Sequence, residues 1–123
     1  MKNGLQTLQR LRQLELDRCQ IAFGNARRHQ IAIRDQLAAA CARQAKQVQG
    51  FDALKTQGPV SITTIQICRD HLTAIRAEID KLQSELAKSQ QEVQDRLDAL
   101  AAAELQMKVA EKLQERSQET LAF

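Results

Sequence analysis

Between Ile65 and Ala110 one set of positions recurs at every third and fourth residue: Ile65, Cys68, Leu72, Ile75, Ile79, Leu82, Leu86, Ser89, Val93, Arg96, Leu100, Ala103, Met107 and Ala110. The alternation never slips, and only Ser89 and Arg96 interrupt its apolar character. An a/d pattern held over this many heptads predicts a coiled coil rather than an ordinary amphipathic helix. The seam is narrow, so the helix cannot bury it alone and needs a long partner.

The first half of the chain has the form of that partner. From Leu5 it carries its own seam: Leu5, Gln9, Arg12, Leu16, Cys19, Phe23, Ala26, Gln30, Ile33, Leu37, Ala40, Gln44 and Phe51. Asn3 is placed to cap this helix, with Gln6 as its capping-box partner. Gly24 weakens the helix by up to about 1 kcal/mol relative to Ala, but the heptad phase continues across it. A softer region begins at Gly50, and Gly58-Pro59 is the strong breaker. Beyond it Ser61 or Thr63 can cap a second helix, and Thr63 with Gln66 fits a capping box.

The expected fold is therefore all-α, a long antiparallel two-helix coiled-coil hairpin forming a single domain over residues 1–123. Its parts are helix 1 at about 4–53, a turn at about 54–62 and helix 2 at about 63–118, fraying from Ser117. In such a hairpin a positions face d positions, and pairing residue numbers that sum to 119 aligns Phe51 with Cys68, Leu37 with Leu82 and Ile33 with Leu86. The same register puts Gln30 beside Ser89, a polar layer able to fix alignment. It also folds back where Gly58-Pro59 lies. Helices of this length make a rod roughly 75 Å long with both chain ends at the tip opposite the turn. The short connection favours a monomeric hairpin over a parallel dimer.

Composition agrees with this. There is no Trp or Tyr, and only three Phe, one Pro and four Gly. Strand-favouring residues are scarce while helix formers abound. Net charge is +3, but residues 1–57 carry ten Lys and Arg against four Asp and Glu, whereas residues 58–123 carry eight against eleven. Opposite signs on the two helices favour their pairing with each other.

Chemistry is sparse. Cys19, Cys41 and Cys68 form neither a C-x-x-C nor a zinc-ligand spacing, and an odd set of this kind suits a reducing, cytoplasmic location. His29 and His71 flank the seams as rim residues. Cys41 lies off the strict seam without a cationic pocket to activate it. No phosphate loop, nucleophile elbow or metalloprotease motif is present, so no enzyme activity, cofactor or metal is expected. The arginines are spread among acids with no interleaved aromatic residues, so nucleic acid is not an expected partner. No apolar run is long enough to span a membrane, and Met-Lys-Asn-Gly does not open a signal peptide. What remains is a scaffold that offers surfaces to other proteins, a property many coiled-coil adaptors and tethers share.

One further feature narrows this. The stretch AAELQMKVAEKLQERSQ over residues 102–118 resembles the C-terminal signature of the FliJ family of flagellar export proteins, with Lys108, Glu111, Lys112, Leu113, Glu115 and Arg116 supplying its K-x-x-E-K-L-x-E-R pattern. The opening LQTLQRLRQLELDR is similar to that family's N-terminal run, and YscO-type proteins of virulence type III secretion share the layout. Where flagellar members tend to carry Tyr before the turn, this chain has Phe51. The resemblance implies a non-enzymatic stalk, like that of rotary ATPases. The paired chain ends would enter the ring of the secretion ATPase and stimulate it, and the stalk would link that ring to the export gate and escort substrate chaperones. It implies Arg10, Arg12, Lys108, Lys112 and Arg116 as the ATPase-binding tip, facing carboxylates in the ring pore. It also implies a cytoplasmic protein held at the inner face of the membrane when docked. Pairing of Lys108 and Lys112 with Glu104 and Glu111 along the helix is the alternative use of those charges.

Overall fold

The computed structural model describes the backbone of residues 2–122 and the side chains of residues 4–121. The chain forms two helices, α1 over Lys2–Thr56 and α2 over Ile62–Ala122. They pack against each other as an all-α hairpin, with no strand among the described residues.

The turn is built by local chemistry. α1 passes through Gly50 without softening and closes at Thr56, whose hydroxyl donates to the Ala53 carbonyl at 2.8 Å. The Gln57 N–H then donates to the Leu54 carbonyl at 3.3 Å, and the Lys55 ammonium lies 4.4 Å from the Phe51 ring centroid. Gly58 reverses the chain at φ +133°, a conformation side-chain-bearing residues avoid. Ser61 caps α2, its hydroxyl accepting the Thr64 N–H at 3.1 Å. The cap is therefore Ser61 and not a Thr63–Gln66 box, because Thr63 already lies inside the helix.

The far ends also differ from expectation. α1 is already helical at Lys2, ahead of Asn3, whose side chain lies outside the described residues. α2 continues past Ser117 to Ala122, because Gln114 and Ser117 keep the seam spacing and are half-buried.

Internal packing divides the chain into two compact units. One comprises His29–Ser89 and contains the turn. Its core is Ile33, Ala40, Ile79 and Leu82, with Leu37, Ile75 and Leu86 packed against it. Ile33 with Leu86, Leu37 with Leu82 and Ala40 with Ile79 all belong to one antiparallel register. Full burial of each large aliphatic side chain stabilises the hairpin by about 1.5–3 kcal/mol. Towards the turn, Cys68 is buried and Phe51, Ile65 and Leu72 are half-buried. Arg43 bonds Glu78 across the helices at 2.7 Å; that hydrogen bond, and then the carboxylate charge, hold the guanidinium above its ordinary pKa. Ser89 is buried at 4% exposure, but its hydroxyl donates to the Leu86 carbonyl at 2.8 Å. Gln30 and Ser89 are thus not a bonded pair: a helical serine satisfies itself on its own backbone.

The second unit comprises Met1–Arg28 with Gln90–Phe123. Its buried apolar residues are Ala26, Ala103 and Ala110. Leu16, Phe23, Val93, Leu100 and Met107 are half-buried. Arg96, although in seam phase, is exposed and bonds Glu92 at 2.8 Å within α2.

Candidate functional site

Both chain ends belong to the second unit, and so do all five basic residues of the expected tip. They are not equivalent. Arg12 is half-buried on the seam of α1, too long and polar to stay there. Its Nη1 reaches out to donate to Gln106 Oε1 of α2 at 3.0 Å and to Glu15 Oε2 at 3.2 Å. The guanidinium is thereby engaged as a clamp between the helices.

Arg10, Lys108, Lys112 and Arg116 are exposed and make no ion pair among the described residues. Lys108, Lys112 and Arg116 are spaced by four, so they climb one outward-facing stripe of α2. Neither Lys108 nor Lys112 pairs with Glu104 or Glu111. A stripe of cations along one helix, without ion-pair partners among the described residues, is suited to attracting carboxylates from outside.

The whole chain carries one further signature. The family model described as "Flagellar FliJ protein" matches residues 1–121. The chain belongs to the FliJ family. Membership implies a component of the flagellar export apparatus, a non-enzymatic one acting in protein transport. Neither the curated proteins nor the solved structures contain a match.

Other chemistry-bearing residues are unremarkable. Cys19 is half-buried, Cys41 exposed and Cys68 buried, and all three are free thiols. His29 and His71 are exposed. His71 lines a shallow groove with Arg43, Lys46, Asp70 and Glu78, where charges of both signs are mixed. No helix among the described residues is long and apolar enough to cross a membrane, and no cluster of metal ligands occurs among them.

What the seam pattern does not reveal is how much apolar surface the second unit leaves outside it. Leu11, Leu14 and Ile21 on α1 are 53–63% exposed, and Leu105 and Val109 on α2 are 64% and 51% exposed. Beside them a groove of about 340 Å³ opens between the helices, lined by Glu15, Arg18, Cys19, Ala99, Ala102, Ala103 and Gln106. The signal exists in the sequence as a second heptad series, Leu11 to Arg18 and Ala102 to Val109, running off the seam.

Proposed function

We propose that this FliJ-family hairpin is a stalk that engages the ring of the export ATPase through its chain-end unit and stimulates it. The observation that carries this reading is the outward stripe of Lys108, Lys112 and Arg116, joined by Arg10 of the other helix, all in one unit and all without ion pairs among the described residues. Carboxylates lining a ring pore are the complementary surface. Arg12 contributes by holding the two helices together at this end. In the same reading the monomeric hairpin works on the cytoplasmic side of the inner membrane, links the ring to the export gate and escorts chaperones.

The test is charge reversal. Lys108→Glu combined with Lys112→Glu touches no internal bond, so helicity by circular dichroism stays unchanged while stimulation of the cognate ATPase is lost. Stimulation equal to wild type in the folded double variant sinks the reading. Arg12→Glu is a poorer probe, since it also breaks the bond to Gln106.

A further inference from the structure

The apolar groove of the second unit runs beside the cationic stripe, which reaches its edge at Arg116, and adds to it an apolar floor. Its floor is made by Cys19 from α1 and Ala99, Ala102 and Ala103 from α2. Small side chains here let another backbone come close, at the 8–10 Å typical of packed helices. Residues seven apart share a direction on a coiled-coil helix. Leu11, at 55% exposure, therefore extends the groove's side from Arg18, Val109 at 51% from Ala102, and Leu113 at 43% from Gln106.

Charge selects the occupant. The acids on this side are already held: Glu15 by Arg12 at 3.2 Å, Glu92 by Arg96 at 2.8 Å, and Asp95 by the Gln91 amide at 2.9 Å. The arginines that flank the apolar strip, Arg18 and Arg116, have no ion pair among the described residues. Among the described residues a second copy of this chain brings the same two unpaired arginines and, on this face, only carboxylates that are already hydrogen-bonded, so it complements the groove poorly.

We propose that this groove seats one acidic amphipathic α-helix of a partner protein, making a local three-helix bundle with α1 and α2. The partner lays apolar residues at heptad spacing on Ala102, Leu11 and Val109 and aims carboxylates at Arg18 and Arg116. In the observed register those arginines stand 15 residues apart along the hairpin, about 22 Å, so the partner helix has at least four turns.

Arg116 serves in both surfaces, but this inference does not rest on the ATPase reading, and its test contains no ATPase. The probe is a synthetic amphipathic peptide of about three heptads with leucine at a and d and glutamate on the flanks. Its binding to the full chain is followed by fluorescence anisotropy. The acidic peptide binds, and Arg18→Glu or Ala102→Glu weakens it by about tenfold or more, because each sets like charge in the groove. Lys46→Glu in the other unit leaves binding unchanged, and a peptide with lysine for glutamate does not bind. Ala102 is exposed and glutamate is a good helix former, so the variant keeps its helicity. Three results overturn the proposal. They are no binding of the acidic peptide, equal binding by the groove variants, and a dimer of the chain alone in sedimentation equilibrium that Ala102→Glu returns to monomer.

Discussion

Gln114 sits on the seam of α2 with its side-chain carbonyl oxygen buried and unpartnered among the described residues. Three other polar seam residues have found a way out. Ser89 donates to its own helix, Arg12 reaches across to Gln106, and Arg96 turns outward to Glu92. Among the described residues Gln114 is the one whose side-chain oxygen is buried without a partner, which costs about 1–3 kcal/mol for such a group. Gln114→Leu should therefore raise the unfolding free energy by about 1–2 kcal/mol, combining removal of the orphan acceptor with added apolar burial. Urea titration of the two proteins measures it. A variant less stable than wild type would mean that the oxygen is satisfied in solution by a group the native packing admits, such as water.

At the scale of the helices, two glycines make opposite demands. Gly50 lies in the interior of α1 with open space where a Cβ would stand, so its flexibility only costs the helix. Gly58 holds φ +133° at the turn, where a Cβ is strained whatever the space. Gly50→Ala should gain about 0.5–1 kcal/mol, and Gly58→Ala should lose about 1–3 kcal/mol. Thermal unfolding midpoints that move in the same direction for both would show that the turn tolerates another geometry. The same contrast explains what could be read from the sequence. The hairpin was legible because a heptad period and a Gly-Pro break are long-range, redundant signals. The cap was less so: Ser61 and Thr63 are both competent, and only the position where α2 begins decides between them. For Gln30 and Ser89 a sequence shows which residues share a layer but not that the serine hydroxyl is satisfied by its own backbone. The apolar residues outside the seam carry no such redundant signal. Leu11, Val109 and the groove over Ala102 become a surface only once both helices are in place. The partners of the basic residues were likewise out of reach, since whether Arg12 is free or clamped depends on where Gln106 comes to lie.

Across the whole molecule, the two units differ in what they bury. His29–Ser89 buries Ile33, Ile79 and Leu82, large aliphatic side chains in one cluster. In Met1–Arg28 with Gln90–Phe123 the buried apolar residues are alanines, and the larger seam residues stay half-exposed. Less apolar surface removed from water means a lower free energy of local opening, and backbone amides exchange in proportion to that opening. Hydrogen exchange should then find the slowest amides at the level of Ile33, Leu37, Ile79 and Leu82. The helical turns carrying Arg10, Arg12, Lys108 and Lys112 should exchange faster. The difference would serve the proposed docking of partners on this unit, because a ligand that binds only the closed form stabilises it by mass action. Adding the acidic peptide should slow exchange around Arg18 and Ala102 while leaving His29–Ser89 unchanged. Uniform protection along both helices of the free chain would remove the distinction between the units, and protection gained only near the turn would move the docking surface away from the chain ends.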